Sequence, residues 1–109
     1  MNIWVCELEN SILGFAAFPG SNPSTDGVVI KYDYMGTIGA AASTGGAGRT
    51  ATHEVGHWLN LRHIWGDAPN GKSGCDYDDF CNDTPKASAA HFGCPVAILN
   101  SCNGNIPMY

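Results

Sequence analysis

The apolar residues of this chain change their spacing once along its length, and that change divides it. Positions 1–8 alternate and are rich in apolar residues, with Ile3, Trp4 and Val5 at the centre, which predicts a strand. Glu9, Asn10 and Ser11 read as a turn. The run ILGFAAF over 12–18 predicts a second strand, weakened by Gly14 and stopped by Pro19-Gly20. After the loop SNPSTDG, the β-branched trio Val28, Val29 and Ile30 marks a third strand over 28–32. MGTIGAAASTGGAGR reads as a flexible, glycine-rich loop. It lacks the Lys-Ser/Thr ending of a phosphate loop, which argues against nucleotide binding. The spacing then becomes helical. A helix is expected over 50–61, with Thr50 as its N-cap. From Gly66 onward Gly, Pro, Asn and Asp recur, so the remainder reads as loop with a short helix over 86–91. Short strands, one helix and an irregular tail predict an α+β (mixed α/β) domain, its small twisted sheet packed on the helix.

Composition narrows the function. A chain of 109 residues is one domain at most. The 44% hydrophobic fraction is that of a globular chain rather than a disordered one. Net charge is −5 and the 5 Lys and Arg residues are scattered, which argues against nucleic acid as a partner. No apolar run approaches the roughly 20 residues of a membrane span. Five cysteines (Cys6, Cys75, Cys81, Cys94 and Cys102) suggest a disulfide-bearing, secreted domain. The amino terminus carries no signal-peptide pattern. Together these features suggest a piece of something longer.

The chemistry concentrates in ATHEVGHWLNLRHIWGD, residues 51–67, which holds three of the 4 histidines. On a helix, residues four apart share a face, so His53 and His57 can grip one ion. Glu54 leans beside them, where a general base for a metal-bound water belongs. His63 lies six positions after His57, and six helical steps turn about 240°. A continuous helix would point His63 away, so the helix must end first. Asn60 can end it, because Asn tolerates the left-handed conformation. Three imidazoles and a water then complete a tetrahedral catalytic zinc site. The competing reading of any one histidine is an ordinary surface or core residue; the third His at this spacing tips the balance to metal.

HEVGHWLNLRH resembles the long zinc signature of the metzincin peptidases, with Asn60 in place of its glycine. NIWVCELENSILGFAAFPG, TDGVVIKY and CDYDDFCNDTPKA…FGCP resemble the pappalysin family, especially its cytophagalysin-like members, over nearly the whole chain. The resemblance implies a secreted zinc endopeptidase acting on peptide or protein substrates, with His53, His57 and His63 as ligands and Glu54 as general base. It implies that 12–18 is an edge strand along which substrate lies extended; the plain alternative is simply an edge strand. It implies a disulfide between Cys75 and Cys102, with Cys94 pairing outside the chain and Cys81 a substitute partner. Calcium near Asp76, Asp78, Asp79, Asp83 and Thr84 is an expectation of the same kind, set against a solvated acidic loop. The family continues into a Met-containing turn followed by a Tyr, for which Met108 and Tyr109 stand as a start or remnant, with Tyr109 a candidate oxyanion stabiliser. Residues 1–109 are therefore expected to be part of a catalytic domain, lacking the family's N-terminal strands and helix and its complete Met-turn region. The runner-up reading is a zinc-binding fragment that cleaves nothing, and a third is an interaction module using the acidic loop. Trp4, Trp58 and Trp65 are expected in the core, with Trp58 burying the helix against the sheet. Arg62 is expected in a salt bridge and His91 on the surface.

Overall fold

A computed structural model describes residues 1–9, 11–91, 99–102 and 104–108. The chain forms two compact units, Met1–Leu61 and Arg62–Tyr109.

The first unit is a three-stranded sheet with one helix. Strand β1 (Asn2–Cys6) pairs parallel to β3 (Gly27–Lys31), and β2 (Gly14–Ala16) pairs antiparallel to the other side of β3. The spatial order β1-β3-β2 leaves β2 at an edge. β1 and β2 fall inside the stretches expected over 1–8 and 12–18 but are shorter, while β3 has the expected five-residue length and lies one residue earlier than 28–32. Register explains which face is buried. Val5, Ile30 and Gly14 lie in one cross-strand row, and Trp4, Val29 and Phe15 in the next. Adjacent rows face opposite sides of a sheet. Val28 and Ile30 are fully buried, on the face where helix α1 (Arg49–Trp58) packs against β3 and β2. The row of Trp4 faces the other way. Trp4 is therefore 39% exposed rather than part of the core, and Phe15 is 51% exposed. A shallow, mostly apolar groove runs over that face.

Helix α1 starts one residue earlier than expected. Gly48, left-handed at φ 71°, takes the N-cap position, and Thr50 falls inside the first turn. The helix also stops earlier, at Trp58. Its end is a Schellman motif: Leu61 N–H donates to Gly56 C=O and Asn60 N–H to His57 C=O, both at 2.9 Å, with Asn60 left-handed at φ 76°. Asn60 thus ends the helix before His63, as its side-chain chemistry predicts. Trp58 is half-buried and donates its indole N–H to Asp26 at 2.7 Å, just before β3. The glycine-rich stretch before α1 contains a 3-10 helix, Gly39–Ser43, with Ala41 buried. It is more regular than a flexible loop.

The second unit is built from turns. A 3-10 helix spans Gly74–Asp76, and a two-stranded antiparallel ladder joins β4 (Leu99–Ser101) to β5 (Gly104–Met108). The expectation of loop to the end missed this ladder, whose strands are short and carry Asn and Pro. Met108 is paired with Leu99 in β5 and does not lie in a turn. The helix expected over 86–91 is absent. Its backbone groups bond elsewhere: Lys86 C=O accepts from Cys102 N–H at 2.8 Å, Ala87 N–H donates to Ile64 C=O at 3.2 Å, and Ser88 C=O accepts from Gly74 N–H at 2.7 Å. Distant partners have replaced the i to i−4 ladder a helix needs. Gly74 permits this packing, since a Cβ there would stand 2.3 Å from Ala87 C=O and 2.7 Å from Trp65 Cβ. Cys75 and Cys102 are disulfide-bonded across a Cα separation of 5.5 Å. Cys6 and Cys81 are free thiols, and Cys94 lies outside the described residues.

Candidate metal centre

His53 and His57 stand one turn apart on α1, and their Nε2 atoms are 3.0 Å apart with the rings edge-on at 87°. Two nitrogens on one tetrahedral zinc, each at 2.0–2.1 Å from it, would be separated by about 3.3 Å. The pair is therefore close to the spacing a single ion requires. A second bond sets the chemistry of His57. Its Nδ1 lies 2.8 Å from Leu61 C=O. A carbonyl only accepts, so Nδ1 carries the proton and Nε2 presents a lone pair. The turn that ends the helix also supplies this carbonyl. Phe18 packs against the same ring at 5.4 Å between centroids.

His63 has a matching arrangement in its own unit. Its Nδ1 lies 2.5 Å from Asp67 Oδ1, and its ring stacks on Trp65 at 4.2 Å and 10°. His63, like His53 and His57, is able to offer one ring nitrogen to an ion.

Glu54 is buried, unlike His53 beside it. Burial raises its carboxyl pKa above the ordinary glutamate value, and the nearby His57 lowers it by less. Strand β2 makes room for it. A Cβ at Gly14 would stand 2.9 Å from Glu54 Cγ and 3.0 Å from Glu54 Oε1. The glycine that weakens the strand pattern thus admits the glutamate. The sequence reading gives neither Gly14 nor Asp67 a role in the site. The signal for Asp67 was present: a carboxylate four positions after His63, following a glycine.

Of the residues expected to hold calcium, Asp78, Asp79, Asp83 and Thr84 line one cleft, while Asp76 sits in the 3-10 helix. Lys86 lines that cleft too, its Nζ 3.5 Å from Asp78 Oδ2. Asp78 Oδ1 accepts from Phe80 N–H and Asp79 Oδ1 from Cys81 N–H. Arg62 pairs with Asp67 at 3.9 Å and lies over the Phe80 ring at 5.4 Å, while His91 is exposed. Trp65 is half-buried. Tyr109 lies outside the described residues. No helix among the described residues is long and apolar enough to cross a membrane.

Comparison with known proteins identifies the family and the fold. The pregnancy-associated plasma protein-A peptidase family matches residues 1–108. An extracellular metalloprotease of Arthroderma benhamiae is 42% identical over 94 residues, covering 81% of this chain and 30% of that protein. One from Pyricularia oryzae is 35% identical over 104 residues, covering 91% of this chain and 34% of its own length. The chain thus spans about a third of the curated relatives it matches. Mature mirolysin of Tannerella forsythia, solved with a cleaved peptide, is 49% identical and superposes with a TM-score of 0.84 over 97% of this chain and 39% of that one. A promirolysin variant is 46% identical with a TM-score of 0.85, over 97% of this chain and 34% of that one. The sheet and helix are those of the mirolysin-type metzincin fold, and the chain belongs to the pregnancy-associated plasma protein-A, or pappalysin, family of metalloproteases.

Proposed function

We propose that residues 1–109 are the zinc-binding part of the catalytic domain of a secreted endopeptidase, with His53, His57 and His63 as ligands and Glu54 as general base. The observation that carries this is the paired Nε2 atoms of His53 and His57, 3.0 Å apart, with the buried Glu54 beside them. Zinc, when bound, supplies Lewis acidity that makes a water deprotonable near neutral pH and polarises the scissile carbonyl. Glu54 takes the proton of the attacking water and returns it to the leaving amine. Its raised pKa suits that double duty, because a carboxylate nearer the working pH both accepts and releases a proton readily. His57 and His63 keep their Nε2 lone pairs outward, through Leu61 C=O and Asp67. Strand β2 is an edge strand, so an extended peptide can add to it through main-chain hydrogen bonds. The extracellular naming of the relatives supports secretion. Calcium is no part of this reading, because Lys86 already supplies a cation to the acidic cleft.

A second reading, a zinc-binding piece without activity, has one observation in its favour: β1 is exposed along its whole length, with Ile3 and Val5 each 48% exposed. One experiment separates the two. Zinc content and cleavage of an unfolded protein are measured with and without a chelator, for the wild-type chain and for Glu54→Gln. The proposal expects one zinc in both proteins, chelator-sensitive cleavage in the wild type, and a loss of about 10²–10⁴-fold in Glu54→Gln. One zinc without cleavage in the wild type selects the second reading. A folded chain that takes no zinc excludes both.

A further inference from the structure

Within the second unit, the segment from His63 to Asp67 is folded back on itself. Gly66 N–H donates to His63 C=O at 2.8 Å, and Gly66 and Asp67 are both left-handed, at φ 61° and 54°. Glycine takes that conformation freely, and Asp is among the few other residues that tolerate it. Gly66 is also required by space, since a Cβ there would stand 2.5 Å from Asp78 N and 2.6 Å from Tyr77 Cβ. The outcome of this turn is that Asp67 Oδ1 meets His63 Nδ1.

We propose that Asp67 is the positioning residue of His63, fixing which ring nitrogen faces a metal ion and in what direction. The inference rests on the zinc reading of His63. A carboxylate only accepts, so Nδ1 carries the proton and Nε2 is left as the ligand atom. Stacking on Trp65 fixes the plane of the ring, and the bond to Asp67 fixes its rotation within that plane. Asp67 is itself held: its other oxygen, Oδ2, lies 3.9 Å from Arg62 Nη1, and Arg62 lies over Phe80. His57 has a neutral carbonyl, that of Leu61, in the equivalent role. His63 therefore has the anionic outer partner of the two. A carboxylate, imidazole and metal in line is a recurrent way of orienting a metal ligand. The left-handed turn is the local cost of building it.

The test compares wild type with Asp67→Gly and Asp67→Asn. Glycine keeps the left-handed turn and deletes the carboxylate. Asparagine keeps the turn and an acceptor oxygen but loses the charge. Zinc affinity is read by competition with a chromophoric chelator, and ligand geometry by the visible spectrum of the cobalt-substituted chain. Asp67→Gly is expected to weaken zinc about 10–100-fold and alter the cobalt spectrum, with Asp67→Asn between it and wild type. Wild-type affinity and spectrum in Asp67→Gly would overturn the proposal, even if the melting temperature fell, since that would mark a merely structural turn. His63→Ala distinguishes the underlying assumption. If it leaves zinc binding unchanged, the ligand assignment fails; if it abolishes binding while Asp67→Gly does not weaken it, only the positioning role fails.

Discussion

In Met1–Leu61, two fully buried side chains on β3, Val28 and Ile30, lie beneath a ten-residue helix. In Arg62–Tyr109, the buried apolar side chain among the described residues is Ala87, and a bond from Cys75 to Cys102 ties the segment together. The first unit is stabilised in its folded state, by apolar surface removed from water. The second leans on a cross-link, which acts mainly by shrinking the unfolded ensemble. The lesson is that the residues proposed to bind zinc draw on both means. His53, Glu54 and His57 stand on a helix whose face the sheet covers. His63 stands on a turn held by a glycine, a carboxylate and a stacked indole.

This contrast can be broken by experiment. The largest effect is expected from Ile30→Ala, which empties a fully enclosed site and should cost about 2–5 kcal/mol in urea unfolding. Amide exchange over 27–31 and 49–58 should lose protection first. An Ile30→Ala chain with unchanged stability would show that β3 is not the core of its unit. Next, reducing the Cys75–Cys102 bond, which spans a sequence separation of 27, should cost about 3–4 kcal/mol. Its signature is early exchange over 74–88 with 27–31 still protected. If both stretches lose protection together, the two units do not unfold independently and the comparison falls.

The smallest effect is a pH response of opposite sign in the two units. Asp78 is held below the ordinary aspartate value, first by the Phe80 N–H and then by Lys86. A lowered pKa gives stability that is present above the unfolded value and lost as pH falls through the folded one. Glu54 is raised by burial, so in the metal-free chain its contribution falls as pH rises through its folded pKa. Metal-free Glu54→Gln should therefore melt higher than wild type at neutral pH. Asp78→Asn should flatten the loss of stability below about pH 4 by a small amount, because the side chain is exposed. Identical pH–stability curves for wild type and both variants would remove this contrast.

How much was legible depended on how local the cause was. The strands could be read because Val28, Val29 and Ile30 prefer extended backbone wherever they stand. The end of α1 could be read because Asn60 carries its left-handed tolerance within itself. Trp4 was misplaced in the core because alternation gives parity but not which parity the helix will cover; the pairing of Trp4 with Val29 settles that. The helix expected over 86–91 failed for a related reason: Ile64, Gly74 and Cys102 claim the backbone groups of Lys86, Ala87 and Ser88 from a distance in the chain.

The types and spacing of donors belong to the one-dimensional chain: two imidazoles one turn apart, a carboxylate between them, a helix stop and a third imidazole. These follow from backbone geometry within a few residues. What the chain could not specify by spacing is the environment that makes the donors useful. Glu54 is buried because Gly14, forty positions earlier, leaves room for it. Ring nitrogens of His57 and His63 are sorted into proton carrier and lone pair by Leu61 C=O and Asp67. Burial and hydrogen-bond direction depend on which atoms meet in space, and such meetings are settled when the sheet pairs and the turns close.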